Sequence, residues 1–444
     1  PARTGRLAYT DGPVSFQQGP DSGWEPAQVN RPLASANAVL TEAGARAEVR
    51  VSGASLTLGE GTQLALTRID EDAIDAMVAA GSVIVRLRLK ARAERYTIAT
   101  PQASFVIDAE GTYRIDYDPV SDESRLMVSS GSAHMAGPRG NIVVTTGKTL
   151  HLAGDDDPSS GIESGMEEDE LDQWARSRES GWSDSAARKY VSPYMTGYED
   201  LDANGQWATD PDYGAVWTPS NVEASWAPYS DGRWANVQPW GWTWIDNAPW
   251  GYAPFHYGRW VYVRDRWGWS PGPRVGRPVY APALVGWTGG TPGPSASGWY
   301  PLAPWERLQP WYRANPAYVD RVNVTVRDRP APRDGRGAAE GWRNWNRDHA
   351  TTTNRGHFPP RNPEPTARPK PVNADALRRA RDPAQSRQQH PPREARPTPP
   401  RATPPAQVVR PPAQPPQPQA QPQPQRPAAP AQHPAERSEK SQER

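Results

Sequence analysis

The sequence predicts a mainly β protein that has two β domains and a long C-terminal tail. Residues 1–153 contain short β-rich runs, which Gly, Pro and Asn interrupt at intervals of about 8–12 residues. Residues 198–327 are rich in Trp and Gly and lack helical periodicity. Residues 328–444 are rich in Pro, Arg and Gln and cannot bury a core, so this stretch is expected to be disordered.

The first domain, residues 1–153, is expected to be a sandwich or barrel because its runs are short and evenly spaced. Its clearest strand lies at 83–89, where Val83, Val85 and Leu87 alternate with Arg86 and Arg88, as in a half-buried strand. Residues 72–78 fit either a helical turn or another strand. Further candidate strands are 6–10, 14–16, 47–51, 55–58, 63–69, 95–99, 104–107, 111–117, 125–129 and 142–145.

Short motifs follow one another in a characteristic order through this domain. They include Gly5-Arg6-Leu7, Thr41-Glu42-Ala43-Gly44, Leu56-Thr57-Leu58-Gly59, Gly111-Thr112-Tyr113 and Gly147-Lys148-Thr149. Together they resemble the FecR domain of bacterial cell envelopes. The resemblance implies a jelly-roll-like β-sandwich that is exported to the periplasm. FecR proteins are typically sigma-factor regulators with a cytoplasmic segment and one membrane helix, and neither is visible in this sequence.

Residues 154–197 are predicted to be an acidic, partly helical connector. Acidic residues come before Arg176 and Arg178, the order that a helix dipole favours, and we expect a helix at 167–178. The acidic run is either the solvated start of this helix or a docking patch for the basic tail.

Residues 198–327 are predicted to be a Trp-rich β repeat domain. Nine of the 20 Trp lie at 226–269. Gly232-Arg233-Trp234 recurs as Gly258-Arg259-Trp260, and Trp240-Gly241-Trp242 recurs as Trp267-Gly268-Trp269. Two copies of one motif indicate two copies of one supersecondary unit, which we expect to be an antiparallel hairpin.

Local signals add detail to these hairpins. Asp231-Gly232 is a hairpin-turn signal, and Tyr257-Gly258 holds its position in the second copy. Trp240, Trp242 and Trp244 fall at period two and would share one face of a strand. A final strand is expected at 319–326.

The region also resembles a tryptophan-rich domain of unknown function that often follows a FecR-like domain. The matching motifs are Trp226-Ala227-Pro228-Tyr229, Trp240-Gly241-Trp242-Thr243-Trp244, Phe255-His256-Tyr257-Gly258-Arg259-Trp260 and Pro278-Val279-Tyr280-Ala281-Pro282. This resemblance implies no activity.

The Trp residues allow two interpretations. Between positions 207 and 275 there are seven Val, Ile, Leu or Met residues and eleven Trp, so the indoles are expected to form the interior. Alternatively, some indoles form a solvent-facing platform that stacks on a polysaccharide or a protein partner. The platform candidates are Trp240, Trp242, Trp244, Trp267 and Trp269, with Arg233 and Arg259 as polar contacts.

Motifs for catalysis or metal binding are weak. No pair of His has metal-ligand spacing, and His256 is expected to be structural. Gly147-Lys148-Thr149 lacks the earlier Gly of a phosphate-binding loop. The stretch 200–205 copies half of an EF-hand loop, but Pro211 stands at the twelfth position, so a turn rich in Asp and Asn is expected. The alternative is a non-helical Ca²⁺ loop to which Asp210 and Asp212 supply oxygens. We expect no cofactor and no metal.

Charge is divided unevenly along the chain. Residues 331–444 contain 20 Lys and Arg against 10 Asp and Glu, a net charge of +10, and 25 of the 52 Pro. Since the whole chain is neutral, residues 1–330 carry −10. The tail is expected to be a tether, or alternatively to contact anionic envelope polymers. The absence of Cys excludes disulfides and thiolate chemistry.

These observations favour a non-enzymatic binding protein of the periplasm or cell surface. The chain begins at Pro1, so we expect that a signal peptide was removed or the chain was trimmed, and no apolar run reaches the ~18–20 residues that span a bilayer. The expected partner is an envelope protein or polysaccharide, and not a nucleic acid, because the globular part is acidic. The alternative is a regulatory component of a FecR-type surface-signalling pathway. A polysaccharide-acting enzyme is a third class, although no acid pair has a diagnostic spacing. The sequence does not define the oligomeric state.

Overall fold

Strands dominate the structure and confirm the mainly β fold class. The computed structural model describes residues 3–137, 140–153, 161–165, 167–179, 182, 185–327, 345–352 and 355–359. The structural statements that follow concern these residues. Residues 360–444, most of the tail predicted to be disordered, lie outside them.

The first domain consists of 17 described strands. They are β1 (Gly5–Asp11), β2 (Val14–Gln17), β3 (Trp24–Pro26), β4 (Pro32–Leu33), β5 (Asn37–Thr41), β6 (Arg46–Val51), β7 (Ala54–Leu58), β8 (Gln63–Ile69), β9 (Ala73–Leu87), β10 (Arg95–Ala99), β11 (Ser104–Ile107), β12 (Gly111–Asp118), β13 (Glu123–Ser130), β14 (Ser132–Gly137), β15 (Gly140–Thr145), β16 (Lys148–Ala153) and β17 (Gly161–Ser164). Every predicted strand falls on one of them. Residues 72–78, which fitted either a turn or a strand, belong mostly to β9.

These strands form two sheets that share β9. One sheet has the order β4–β1–β6–β7–β9–β12–β13–β16–β17. The other has the order β3–β2–β5–β8–β9–β10–β11–β14–β15, in which β9 and β10 are parallel. Leu56 and Val85 of the first sheet and Phe16 and Phe105 of the second belong to one buried cluster. The core therefore lies between two sheets, as in a sandwich.

Helix α1 (Glu170–Glu179) confirms the helix expected in the connector, and it lies against the sandwich. Arg114 Nη1 of β12 is 2.8 Å from Asp169 Oδ2 and 2.6 Å from Asp172 Oδ2. Asp172 is buried, and Arg178 pairs with Glu48 of β6 at 2.8 Å. Asp169 and Asp172 therefore pair with an arginine of the first domain, while Glu167, Glu168, Asp169 and Glu170 are exposed, as expected of the solvated start of a helix.

The second domain contains three short sheets among its described residues. Their strands are β18 (Gly205–Asp210), β19 (Gly214–Pro219), β20 (Gly232–Val237), β21 (Gly241–Asp246), β22 (Arg259–Val263), β23 (Arg266–Ser270), β24 (Val285–Thr288), β25 (Gly298–Pro301) and β26 (Thr351–Thr352). The first sheet has the order β18–β19–β23–β22, the second pairs β20 with β21, and the third has the order β24–β25–β26. Short helices α2 (Leu201–Asn204), α3 (Ala253–His256), α4 (Pro316–Val322) and α5 (Trp345–Asp348) connect or flank them.

The repeated motif forms two hairpins, as predicted, although its turns lie elsewhere. Gly232 starts β20, and the turn that follows is at 238–240, so the Asp231-Gly232 turn signal is wrong. Trp234 lies opposite Trp244, and Trp260 lies opposite Trp269. Trp244, and not Trp242, is therefore the structural counterpart of Trp269.

Glycine in the repeat makes room for an indole. A Cβ added at Gly232 would lie 2.6 Å from Cζ2 of Trp244, and one added at Gly258 would lie 2.6 Å from Nε1 of Trp269. Both distances are shorter than van der Waals contact. The Gly-Arg-Trp motif therefore recurs because the indole of the facing strand lies directly over the glycine.

The strand predicted at 319–326 is wrong, because helix α4 begins at Pro316 and ends at Val322. Pro at the first helical position and Asn315 before it are helix-start signals. The Asn315 side chain accepts a hydrogen bond from Tyr318 N at 2.7 Å. These local signals outweigh the β propensity of the valines that follow.

Asn315→Ala is expected to lower the free energy of unfolding by about 0.5–2 kcal/mol, because one backbone N–H of α4 loses its acceptor. Urea denaturation of the full chain would measure this loss. Asn315→Ser, which keeps a capping oxygen, should retain most of the stability. Equal losses in both variants would show that the cap does not stabilise this helix.

Candidate functional site

The indoles of the second domain form its interior. Those that are fully buried are Trp217, Trp234, Trp244, Trp260, Trp269 and Trp299. Several indole N–H groups donate to backbone carbonyls, for example Trp260 Nε1 to Pro254 O at 2.9 Å and Trp269 Nε1 to Tyr257 O at 2.8 Å. Five of the six indole N–H groups are hydrogen-bonded within the described residues, and that of Trp234 is not. The buried rings form a hydrophobic core, which confirms the first interpretation of the Trp cluster.

The predicted solvent-facing platform is wrong for four of its five indoles. These four, which are at most 5% exposed, are Trp240, Trp244, Trp267 and Trp269. The physical reason is that other chain segments cover both faces of the hairpins. Trp240, for example, packs on the ring of Tyr280 at a centroid distance of 5.0 Å. Trp242 is half-buried and is the one platform candidate with an accessible edge.

The two arginines predicted as polar contacts, Arg233 and Arg259, differ in solvent exposure. Arg233 is exposed on β20. Arg259 is 2% exposed, and it donates hydrogen bonds to Glu306 O (3.1 Å), Gly258 O (2.8 Å) and Asn323 Oδ1 (2.9 Å). Burial lowers the pKa of Arg259 to about 10. The placement of Arg259 on an exposed platform is therefore wrong.

A groove lined by Trp234, Trp242, Trp244 and Trp299, here called the Trp groove, holds side chains from the predicted tail. The ring of Phe358 lies 5.1 Å from that of Trp242, 6.1 Å from Trp299 and 6.4 Å from Trp234. His357 lies 5.1 Å from Trp299 and 6.2 Å from Trp244. Both side chains are 9% exposed, so the groove encloses them.

The described residues 345–352 and 355–359, here called the closing segment, have further contacts with the domain. Asn346 Nδ2 donates to the carbonyl oxygens of Trp260 (3.0 Å) and Pro301 (2.8 Å). Arg347 pairs with Glu306 at 2.8 Å. Strand β26 adds an edge strand to β25. The prediction of disorder from residue 328 onwards is therefore wrong for these residues.

Two titratable side chains of the second domain are enclosed. His256 packs against the rings of Tyr252 and Tyr280, with ring centroids 4.6 and 4.8 Å away, and its Nδ1 lies 2.8 Å from Ala281 O. Burial lowers its pKa to about 3. Asp246 accepts hydrogen bonds from Trp244 Nε1 and Ala248 N, and burial raises its pKa to about 8. The structural role predicted for His256 agrees with this enclosure.

A buried network of charges joins the two domains, and the sequence reading missed it. Arg50 of β6 pairs with Glu48 at 2.7 Å, with Glu199 at 2.9 Å and with Asp200 at 3.3 Å. Arg6 of β1 also pairs with Asp200. Although burial alone would raise the pKa of Glu48, Arg50 and Arg178 hold it below its ordinary value, whereas burial raises the pKa of Glu199.

Polar contacts around this network extend the junction. Asn30 Nδ2 donates to the carbonyl oxygens of Asp246 (2.9 Å) and Ala248 (2.7 Å). The hydroxyl groups of Thr4 and Tyr252 are 2.7 Å apart. Residues 200–205, which copy half of an EF-hand loop, do not form a free turn. Residues 201–204 form α2, and Asp200 pairs with Arg6 and Arg50 of the sandwich. Among the described residues, no three acidic or His side chains are grouped as metal ligands.

Part of the second domain is similar to a known protein family. Residues 198–306 match the model of a family described as "Family of unknown function (DUF6600)". The matched region contains both hairpins, all four Trp-groove residues, and Glu199 and Asp200, which pair with Arg50. The closing segment lies beyond the match. A search of curated proteins found no match to this chain.

Two crystal structures from Parabacteroides distasonis ATCC 8503, both described as candidate anti-sigma factors, resemble a part of this chain. The identities are 12% and 11%, and the TM-scores are 0.26 and 0.27. Each match covers 29% of this chain and 59% of the other, so this chain spans little more than half the length of those proteins. Among the described residues, none of the helices has the length and apolar character needed to cross a membrane.

Proposed function

We propose that this chain is a non-enzymatic binding protein of the bacterial cell envelope, and that its Trp groove binds an extended protein segment carrying an aromatic side chain. The observation that carries the proposal is the closing segment itself. The groove already holds Phe358 and His357, and β25 already accepts β26 as an added strand. Addition of a strand together with a pocket for a side chain is a common mode of peptide recognition.

The burial of the indoles supports a protein partner over a polysaccharide. Stacking on sugar rings needs flat indole faces in solvent, and of the five platform candidates only Trp242 is half-buried rather than buried. A binding role without catalysis is supported by the enclosure of His256 and Asp246, which no substrate reaches without local opening. Localisation in the envelope, and the narrower role in a FecR-type signalling pathway, rest on the resemblance of residues 1–153.

Phe358→Ala in the full chain is expected to open the groove to a segment supplied from outside. A fluorescent peptide with the sequence of residues 345–359 should bind this variant at least about tenfold more tightly than the wild type, because the tethered copy competes in the wild type. Fluorescence anisotropy would measure both affinities. Adding Trp242→Ala to the variant should weaken peptide binding again.

Two controls make the result specific. Trp24→Ala, which changes another half-buried indole in the sandwich, should leave peptide binding unchanged. A peptide in which Ala replaces the residue that corresponds to Phe358 should bind weakly. Equal binding of the two peptides, or no binding to the Phe358→Ala protein, would contradict recognition of an aromatic side chain in this groove.

A further inference from the structure

A separate cleft opens in the second domain, away from the residues of the Trp groove. It has a volume of about 240 Å³ and lies between residues 190–195, the loop 271–279 and the end of α4 at 321–325. Met195, Val279 and Leu284 give it an apolar wall, and all three are buried. A cleft of this size suits a small molecule or the end of a longer one.

The charged residues that line this cleft are all positive. Among the described lining residues there is no Asp or Glu, and there are four arginines: Arg259, Arg274, Arg277 and Arg321. Two of the four have carboxylate partners outside the cleft. Arg277 pairs with Glu94 at 3.2 Å, and Arg321 pairs with Glu71. The positive charge that is not neutralised therefore resides on the other two.

Arg259 is a buried cation whose hydrogen-bond acceptors are all neutral. Its three described acceptors are two backbone carbonyls and the side-chain oxygen of Asn323. A guanidinium has five N–H groups, so these bonds leave two without an acceptor. Glu306 is the carboxylate that acts on Arg259 from a distance, and it is already paired with Arg347. A buried charge without a carboxylate in direct contact costs several kcal/mol, so an anion beside Arg259 would be stabilised. The pKa of Arg259, which burial lowers to about 10, reflects the same unfavourable environment.

Arg274 supplies a second positive charge from the loop. Its side chain is exposed, and no hydrogen bond or ion pair to another described residue holds it. It is therefore available to a ligand at no cost to an existing contact. One buried and one exposed cation beside an apolar wall match a molecule that has a charged end and an apolar body. A strongly hydrated phosphate ion lacks such a body.

We propose that this cleft binds a small organic carboxylate, whose charge Arg259 and Arg274 neutralise and whose apolar body packs on Met195, Val279 and Leu284. This site differs from the Trp groove in its residues and in the chemistry of its ligand. In this proposal Arg259 contacts the ligand because its buried charge lacks a carboxylate partner among the described residues, and not because it belongs to an exposed aromatic platform.

Isothermal titration calorimetry of the full chain with hexanoate and with benzoate tests the proposal. At least one of the two anions should bind, and hexanamide, which keeps the apolar body without the charge, should bind at least tenfold more weakly. Inorganic phosphate should also bind at least tenfold more weakly, because it has no apolar body. Arg274→Glu should reduce the affinity for the carboxylate at least tenfold.

Arg266→Glu is the matched control, since it reverses the charge of another exposed arginine of the same domain that does not line the cleft. Its affinity for the carboxylate should equal that of the wild type. Three results would each overturn the proposal: no binding of either carboxylate, equal binding of hexanamide, or equal losses in Arg274→Glu and Arg266→Glu. Thermal unfolding of each variant checks that the domain stays folded.

Discussion

Arg50→Ala is expected to lower the free energy of unfolding by about 3–5 kcal/mol. Arg50 is the cation shared by Glu48, Glu199 and Asp200, and the side chains of Arg50, Glu48 and Glu199 are at most 3% exposed. Its removal would leave the buried Glu199 without a paired cation, whereas Glu48 keeps Arg178 and Asp200 keeps Arg6. The guanidinium also lies 4.5 Å from the centroid of the Trp182 ring, so a cation–π contact is lost as well.

Urea denaturation of the full chain, followed by circular dichroism, would measure this effect. Arg125→Ala is the matched control, because Arg125 pairs with Asp116 at 3.0 Å but is 48% exposed. A pair made by an exposed arginine contributes less than about 1 kcal/mol, and the buried Asp116 keeps Arg114 at 2.9 Å, so this variant should be nearly as stable as the wild type. A similarly small loss in Arg50→Ala would show that the charge network does not stabilise the junction of the two domains.

His256 and Asp246 are expected to give opposite pH dependences of stability. Burial lowers the pKa of His256 from 6.5 to about 3. Between these values the unfolded chain binds a proton that the folded chain does not, so His256 destabilises the fold as the pH falls. Burial raises the pKa of Asp246 from 3.8 to about 8. Between those values the folded chain binds the extra proton, so Asp246 stabilises the fold as the pH falls.

Between pH 6.5 and pH 5 the contributions of His256 and Asp246 to the free energy of unfolding nearly cancel in the wild type. Replacing one of the two residues should reveal the pH dependence that the other causes. Relative to the wild type, Asp246→Asn should lose about 2 kcal/mol of stability over this range, because one proton corresponds to about 1.4 kcal/mol per pH unit. His256→Asn, which can still donate to Ala281 O, should gain about 2 kcal/mol over the same range. Urea denaturation at pH 5 and pH 6.5 measures both. Parallel pH profiles for the wild type and the two variants would contradict the inferred burial.

Strands with a strong period-two pattern could be predicted from the sequence. Very short strands, and a helix whose start depends on its capping residues, could not. Val83, Val85 and Leu87 alternate with Ile84 and Arg86, and in β9 the first three are buried and Arg86 is half-buried, although Ile84 is buried too. The short strands β3 and β4 have too few residues to show a period. Valines at 319–326 suggested a strand, but Asn315 and Pro316 begin a helix there. In that case a helix-start signal outweighs the propensity of individual residues.

The candidate sites were harder to predict, because they depend on residues far apart in the chain. The count of aliphatic residues correctly favoured an indole core. It could not show that Phe358 fills the Trp groove, because Phe358 lies in a stretch whose overall composition indicates disorder. The charge network has one weak signal in the sequence. Glu48 and Arg50 stand at period two on a predicted strand, which indicates a charged face that another domain covers.

Fluorine NMR of the full chain labelled with 5-fluorotryptophan tests most directly whether the closing segment occupies the Trp groove. The resonance of Trp242 can be assigned with Trp242→Phe, and that of Trp174 in α1 with Trp174→Phe. If Phe358 packs on Trp242, then Phe358→Ala must shift the Trp242 resonance and leave the Trp174 resonance in place. An unchanged Trp242 resonance would contradict the closed groove.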